Sequence, residues 1–383
     1  MTGEVPVRCW IGLDDTDGPD GGCTTHDFDD LLRVLEDAGF IIDDARLVRL
    51  WPFAPERTRG NAAVAAQVHG PAGSRGDFDS KVESWFASLE RRNGAEPFLH
   101  ISQEQPEEAH YWRAVRGFVD DGRGLVGARA AMAWRGGNDH TWELTAYRQP
   151  CNIGKDRNVA EVVVEEMVRE FGTMLNRDPT KGRGLIAPRT PCPVLYGIRG
   201  ESKRIVRRCH AYLQSKDVEP SSHHRVWRTN QATGDHLEGV HNDQIVSKPD
   251  IRAKGHVILQ VEGKTLLAFQ ASGPIAKLAQ TLHEGDQIEW MGLEAPDGTY
   301  HLERLRLVKG ARNRMRPLCE CGSRMKSLGR NQGLRCPSCG SLEENRWECD
   351  WVEHDWVEPP ASERRHLAKP LSRTIKSEAE QPR

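Results

Sequence analysis

Apolar positions recur along this chain with two alternating periods. Val7 to Leu13, with Trp10 and Ile11 inside the run, predicts a buried strand, and Phe28, Leu31, Leu32 and Leu35 then follow at helical spacing. Leu47 to Leu50 predicts a strand broken by Pro52-Phe53-Ala54-Pro55, and Ala62 to Val68 predicts its successor. Val82, Trp85, Phe86 and Leu89 form a helical stripe that reads as core. Trp142 to Tyr147 alternates as a strand, Val159 to Leu175 predicts a long amphipathic helix, and the strand Pro193 to Ile198 leads into a helix over Ile205 to Leu213. Interleaved strands and helices over 1–235 predict an α/β or α+β catalytic body with a small inserted subdomain.

From about Asp250 the texture changes. His256 to Val261, Thr265 to Ala271, Gln287 to Gly292 and Tyr300 to Val308 predict short strands, with a helix over Ile275 to Leu282 between the second and third. That order predicts an OB-fold small β-barrel, an architecture that commonly carries oligonucleotides on one face. The tail from Pro359 to Arg383 bears proline and charge, including Arg364, Arg365, His366, Lys369 and Arg373, and predicts an extended basic arm.

Composition narrows the class. At 383 residues, 28% charged and 37% hydrophobic, the chain predicts a soluble protein of two to four domains. It has no membrane-spanning run, and Met1 to Arg8 lacks the apolar stretch of a secretion signal, so the expected location is cytoplasmic and without a membrane partner. The net charge of −3 conceals an asymmetry: residues 1–44 carry twelve Asp/Glu against two Arg, and residues 304–339 carry ten Lys/Arg against Glu320 alone. The acidic end suits a cation and the basic end a polyanion, nucleic acid first among candidates.

Candidate chemistry concentrates in four places. Asp14, Asp15 and Asp17 crowd the end of the first strand, before Gly21-Gly22-Cys23-Thr24-Thr25 opens a helix capped by Thr24 or Thr25. Like charges at a strand end repel unless a hard divalent ion such as Mg²⁺ shares them with phosphate oxygens, and a helix amino terminus adds N–H donors for an anion. The plainer alternative is a solvated acidic turn. Arg57 and Arg59 crown a turn before Asn61 and are placed to grip ATP or RNA phosphates. The turn Gly122-Arg123-Gly124-Leu125-Val126-Gly127 lacks the Lys-Ser/Thr ending of a Walker loop, so it reads as tight helix packing before it reads as a phosphate cradle. Cys319, Cys321, Cys336 and Cys339 have the layout of a zinc ribbon holding Zn²⁺; the first turn is one residue short of the usual knuckle, which leaves Cys349 as a substitute ligand. Arg312, Arg314, Arg316, Arg324, Lys326, Arg330 and Arg335 surround those cysteines as RNA-binding candidates.

In order, Leu13-Asp14-Asp15-Thr16-Asp17, Gly22-Cys23-Thr24-Thr25, Leu47-Val48-Arg49-Leu50, Arg57-Thr58-Arg59-Gly60-Asn61, the Gly122 to Ala128 turn, Val194 to Glu201, Arg228-Thr229-Asn230-Gln231 and the ending from Glu358 to Leu371 resemble the archaeal agmatidine synthases. The resemblance spans nearly the whole chain. It implies an α+β multidomain protein: a catalytic body over 1–235 joining a kinase-like module to a ferredoxin-like subdomain, an OB-fold over 250–310, a zinc ribbon over 315–348 and a basic tail over 349–383. It implies the cofactors ATP, Mg²⁺ and Zn²⁺, and two partners, agmatine and the isoleucine tRNA with a CAU anticodon. The implied reaction activates carbon 2 of the wobble cytosine as a phosphate ester, which agmatine then displaces.

By the same matching, Asp14, Asp15 and Asp17 become metal and catalytic carboxylates, and Thr24 or Thr25 becomes a self-phosphorylated threonine. Arg57, Arg59, Asn61, Gly122, Gly124 and Gly127 become nucleotide-site candidates. Asp178, Glu201 and Asp235, carboxylates beside the motifs, become candidate agmatine ligands. Two rival classes stay on the table: a non-catalytic OB-fold/zinc-ribbon RNA-binding protein, and a kinase or ATPase without RNA chemistry.

Overall fold

The computed structural model describes residues 6–55, 61–117, 125–137, 139–329 and 332–374. The chain divides into two units, Met1–Glu238 with Pro360–Arg383, and Gly239–Pro359.

The first unit is built on one seven-stranded sheet. Its elements are β1 (Pro6–Asp14), α1 (Thr24–Asp37), β2 (Ile41–Arg49), β3 (Ala62–Ala72), α2 (Arg75–Ser88), β4 (Phe98–Ser102), α3 (Ala109–Val115), α4 (Leu125–Ala133), β5 (Thr141–Arg148), α5 (Glu161–Phe171), β6 (Arg177–Asp178), β7 (Arg183–Gly184), β8 (Val194–Gly200), α6 (Lys203–Gln214) and β9 (Ser221–Thr229). The strands lie in the order β4-β1-β3-β2-β9-β5-β8, while β6 and β7 pair separately. Among the described residues the only parallel contact in this sheet is β2 with β9, through Arg46 opposite Arg228 and Leu47 opposite Thr229.

Alternation along β1 explains why the run reads as continuously apolar. Val7, Cys9, Ile11 and Leu13 pack with Phe28, Leu31, Leu32 and Leu35 of α1 and with Phe78, Val82 and Trp85 of α2. Trp10 points to the other face, where Ala63 and Ala65 of β3 meet Ala130 to Ala133 of α4. Small residues let α4 approach closely: a Cβ on Gly12 would lie 2.5 Å from the carbonyl oxygen of Ala128. A third core joins α5 and α6 to β5 and β8 through Val164, Met167, Leu144, Ile198, Val206 and Leu213.

Local chemistry moves several predicted boundaries. Cys23, not either threonine, is the N-cap of α1, and its side chain makes no capping bond. The α5 helix stops at Gly172, whose left-handed conformation (φ 59°, ψ 38°) closes the helix well before Leu175. Strand β9 was not foreseen, because Ser-Ser-His-His-Arg is polar and only Trp227 is fully buried in a core.

The second unit contains β10 (His241–Gln244), β11 (Asp250–Ile251), β12 (Val257–Val261), β13 (Lys264–Ala268), α7 (Pro274–Gln280), β14 (Gln287–Glu294), β15 (Thr299–Met315), β16 (Lys326–Ser327), β17 (Leu334–Arg335), β18 (Leu342–Glu343) and β19 (Glu348–Val357). The ladder runs β10-β14-β15-β13-β12-β11, with β19 added to β15. This ladder does not close into the barrel predicted from the sequence. Its edges, β10 and β11, are successive pieces of one segment, interrupted over residues 245–249, where Pro249 has no N–H to donate. Ile245, Leu259, Leu266, Ile275, Ile288, Trp290 and Leu305 fill the core.

The expected extended arm is corrected at both of its parts. Residues 348–357 pair with β15 from Leu305 to Met315. Residues 361–374 fold onto the first unit, where Leu367 is buried beside Trp10, Tyr111 and Trp134. Ala232 and Gly234 donate their N–H groups to the carbonyls of His366 and Leu367 at 2.8 Å each. The tail's cations are neutralised locally, Lys369 by Asp139 at 2.8 Å and Arg373 by Asp139 at 2.9 Å and Glu201 at 3.0 Å. Leu367→Ala is expected to destabilise this unit by about 2–4 kcal/mol, read as a lower urea midpoint, whereas a free arm would leave the midpoint unchanged.

Candidate active site

The first unit holds a cavity of about 670 Å³. One wall is made by the end of β1 and the start of α1. Asp14 is the last residue of β1, and Asp15 takes a left-handed conformation (φ 58°), rare for a residue with a side chain. The Asp15 N–H donates to Asp14 Oδ1 at 2.8 Å, and the Glu96 N–H donates to Asp15 Oδ2 at 3.1 Å. The Thr24 hydroxyl donates to Asp17 Oδ1 at 2.9 Å, which ties the first residue of α1 to the acidic turn.

Behind this wall the buried Asp27 receives the Thr16 hydroxyl at 2.7 Å and the Arg92 guanidinium at 2.8 Å. Burial opposes its charge, but hydrogen bonds from His26, Thr16 and Arg92 outweigh burial and hold the carboxyl below the usual range. Arg92 also donates to the carbonyl of Thr16 at 2.8 Å, so one guanidinium fixes both the turn and the helix. Gly127 lies against the same wall. A Cβ there would come 1.8 Å from Asp14 Oδ2, a clash that only glycine avoids.

The facing wall comes from β2, β5, β8 and the returning tail. Glu143 of β5 is buried and sits across the ladder from Arg199 of β8, with Arg199 Nε at 3.5 Å and an Arg49 nitrogen at 4.0 Å from Glu143 Oε2. Gln231 bridges the group: its amide nitrogen donates to Glu143, and its oxygen accepts from Arg199 Nε at 3.0 Å. That same oxygen lies 3.2 Å from His366 Nδ1. An oxygen can only accept, so Nδ1 carries the proton and His366 keeps a lone pair on Nε2. The positive charge of Arg49, then enclosure by protein, then Arg199 push the imidazole pKa well below its ordinary value of 6.5. The cavity therefore has an acidic wall and a wall with a net positive charge.

The four ribbon cysteines form a separate site in the second unit. Their sulfur atoms all lie within 4.8 Å of one another, and among the described residues no other His, Cys, Asp or Glu group draws its ligand atoms this close. Cys319 and Cys339 are 3.4 Å apart, as are Cys321 and Cys336. A tetrahedron with Zn–S bonds of about 2.3 Å has edges of about 3.8 Å, so a slight expansion admits the ion. The shortened first turn thus brings both of its sulfurs into the quartet, and Cys349 on β19 stands outside it.

Comparison with known proteins follows these divisions. Residues 10–79 match the TiaS TCKD domain, 122–236 the TiaS FLD domain and 316–351 the TiaS C-terminal zinc ribbon domain. TiaS of Methanopyrus kandleri, a 2-agmatinylcytidine synthetase of an isoleucine tRNA, is 34% identical over 94% of this chain and 96% of its own length. The chain belongs to the TiaS family of tRNA 2-agmatinylcytidine synthetases. Two solved structures of TiaS, one with its isoleucine tRNA and ATP and one with that tRNA, AMPCPP and agmatine, each superpose with a TM-score of 0.76. They are 28% and 26% identical, each covering 96% of this chain and 97% of the other.

Against this synthetase framework the predicted residues divide clearly. Asp14, Asp15, Asp17, Thr24, Thr25, Asn61 and Gly127 all line the one cavity. Asn61 donates its amide to the carbonyl of Trp51 at 2.6 Å. Arg57, Arg59, Gly122, Gly124 and Arg330 lie outside the described residues.

The three carboxylates considered for agmatine do not line the cavity, and each has a partner elsewhere. Asp178 is buried, and although burial opposes its charge, bonds from Ser362 and Thr180 hold its carboxyl below the usual range. Glu201 pairs with Arg373, and Asp235 accepts the Tyr111 hydroxyl at 2.5 Å. Burial raises the Asp235 carboxyl above its ordinary pKa.

Of the basic candidates, Arg312 grips buried Asp286 at 2.8 and 2.9 Å and so anchors the fold. Arg314, Arg324, Lys326 and Arg335 are exposed, and Arg316 is half-buried against Trp347. The facing wall was missed as a site: Arg49, Arg199, Gln231 and His366 stand in the family motifs without an assigned role, and Glu143 in none. Charged residues inside otherwise apolar strands were the available signal.

Two measurements test this geometry. Elemental analysis should give one zinc per chain, lost in Cys319→Ser or Cys336→Ser and retained in Cys349→Ser. By NMR, His366 should titrate below pH 6.5, and Arg199→Ala should raise that pKa. Because the folded pKa is depressed, the stability linked to His366 is present above pH 6.5 and declines as the pH falls from there, when the unfolded chain takes up the proton first.

Proposed function

We propose that this chain is the ATP-dependent ligase that joins agmatine to carbon 2 of the wobble cytidine in the isoleucine tRNA with a CAU anticodon, so that the product tRNA decodes AUA. The reading rests on family membership and on one observation: acidic and cationic walls face each other across a single cavity. The cytosine C2 oxygen is a poor leaving group. Transfer of a phosphoryl group from ATP to that oxygen creates a good one, and the agmatine amine then forms the C–N bond as phosphate departs and the amine loses a proton. A wobble base sits in a loop and can be turned out to reach such a cavity.

In this reading Asp14, Asp15 and Asp17 hold Mg²⁺, whose charge, when bound, offsets that of the phosphates. Carboxylate oxygens fit a hard ion, and Mg²⁺ commonly takes only one or two carboxylates with phosphate oxygens and water, so three carboxylates need not converge as thiols do. The amino terminus of α1 forms part of the same wall and favours anionic oxygens there. Arg49 and Arg199 balance phosphate charge from the opposite side, with Glu143 and Gln231 setting their direction. Of the two threonines, Thr24 has a base already in place, since its hydroxyl donates to Asp17, and we assign the self-phosphorylation to it.

The zinc ion belongs to the cysteine quartet and the catalytic work to the body over 1–235, read as a kinase-like module with a ferredoxin-like subdomain. The OB-type reading of 250–310 is supported by the parallel pairing of β13 with β15, and by α7 lying between β13 and β14. Among the described residues no helix is long and apolar enough to cross a membrane, and we set the reaction in the cytoplasm.

The deciding experiment incubates tRNA transcript, ATP and labelled agmatine with the protein, followed by nucleoside mass spectrometry. Label in 2-agmatinylcytidine is expected. Bound but unlabelled tRNA would favour a non-catalytic RNA binder, and nucleotide turnover indifferent to tRNA and agmatine would favour a kinase or ATPase. Alanine at Asp14, Asp15 or Asp17 should lower turnover at least about 1,000-fold while tRNA affinity stays within about threefold, a charge-stabilisation loss of the size seen at phosphoryl-transfer sites.

A further inference from the structure

Two tryptophans of the second unit stand largely in solvent. Trp347 is 56% exposed and Trp351 is 61% exposed. Tryptophan is seldom left so open, because its ring offers more apolar area than any other side chain. Neither ring is loose. The Arg316 guanidinium lies 3.7 Å from the centre of the Trp347 ring, and the Lys309 ammonium lies 4.0 Å from the centre of the Trp351 ring. Each cation steadies one π face, so the ring is held for a second flat group.

The backbone that presents them is also unusual. Trp351 pairs across the ladder with Ala311, Asp350 with Arg312 and Glu348 with Met315. Residues 350–355 are exposed without interruption, so this end of the β15–β19 ribbon buries little apolar surface for its own stability. Its charge is balanced, with five Lys/Arg and five Asp/Glu over β15 and β19 together. Beside it the cysteine turns carry exposed Arg324, Lys326 and Arg335, with Glu320 as the lone acid of residues 304–339. The turns offer charge to a polyanion, and the ribbon offers ring faces.

We propose that Trp347 and Trp351 form a stacking site for unpaired nucleobases of the tRNA, separate from the cysteine turns that meet its phosphates. The proposal rests on the tRNA reading above and adds the surface that holds the RNA. Arg316 and Lys309 act as positioning residues behind the rings. Paired bases expose only their edges along a stem, so the occupants are bases from a loop or from the single-stranded end. Stacking accepts any base, so this site adds affinity without reading sequence.

The two contributions separate by salt. Stacking releases few counterions, so Trp347→Ala and Trp351→Ala, made in the full zinc-loaded chain, should each weaken tRNA binding about tenfold with the slope of log affinity against log salt unchanged. Arg324→Ala or Lys326→Ala should instead make that slope shallower by about one.

Trp351→Phe and Trp351→Leu guard against a folding defect. The phenylalanine variant should retain most of the binding and the leucine variant should lose it; equal behaviour of the two would overturn the proposal. A double alanine variant that binds and modifies tRNA like the wild type would also overturn it and leave the ligase reading intact. Wild-type protein that neither binds nor modifies tRNA would remove the ligase reading itself. Wild-type dimers that dissociate in Trp351→Ala, with tRNA affinity unaltered, would reassign the rings to a protein contact and overturn the RNA proposal.

Discussion

The cavity depends on the seam where β2 meets β9. Backbone pairing there is short, with two residues of each strand in register, so side chains supply the remaining cohesion. Asp44 accepts from Arg46 at 2.5 Å and from Arg228 at 2.6 Å, one carboxylate joining the two halves of the sheet. Asn230 then imitates a strand: its side-chain oxygen takes the Arg49 N–H at 2.7 Å and its amide gives to the Arg49 carbonyl at 2.8 Å. These bonds hold Arg49 at the edge of one half, opposite Glu143 and Arg199 of the other. Arg46 shows how enclosed the seam is, with burial drawing its guanidinium pKa down to about 10 despite the favourable charge of Asp44.

Such a seam suits a site that must tolerate both signs of charge at close range. On the acidic side the Thr24 hydroxyl shares the charge of Asp17, while Arg92 and the Thr16 hydroxyl meet that of Asp27 behind the wall; the cationic wall is bearable because Glu143 stands between its two arginines. Removing one member of a buried set strands the others in a medium that solvates them poorly. The arrangement is therefore fixed by its neighbours before any ligand arrives, which is what preorganised electrostatics require.

Much of this was legible in the sequence, for a physical reason that also marks where reading stopped. Strands β1, β3, β5 and β8 and helix α1 bury apolar stripes with a local period, and the Asp14 to Thr25 and Cys319 to Cys339 clusters are local too. Seven of the residues named from the sequence consequently line one cavity. Strand β9 escaped because it is held by ion pairs such as Arg225 with Asp29 and Arg228 with Asp44, which carry no periodic signal. Glu143 and His366 escaped because their meaning lies in partners far away along the chain. The tail misled because its charge suggested solvation, while Leu367 and the acids awaiting Lys369 and Arg373 were invisible to composition.

The route of the chain has a consequence for biosynthesis. The first unit is left at Glu238 and re-entered at Pro360, so His366 and the segment around it emerge from the ribosome after the whole of the second unit. A nascent polypeptide could fold the sheet, the acidic wall and the cysteine quartet, yet its cavity would lack His366 until the segment beyond Pro360 is made. Assembly order thus withholds a finished cavity from any partly made chain, even one whose second unit is already folded.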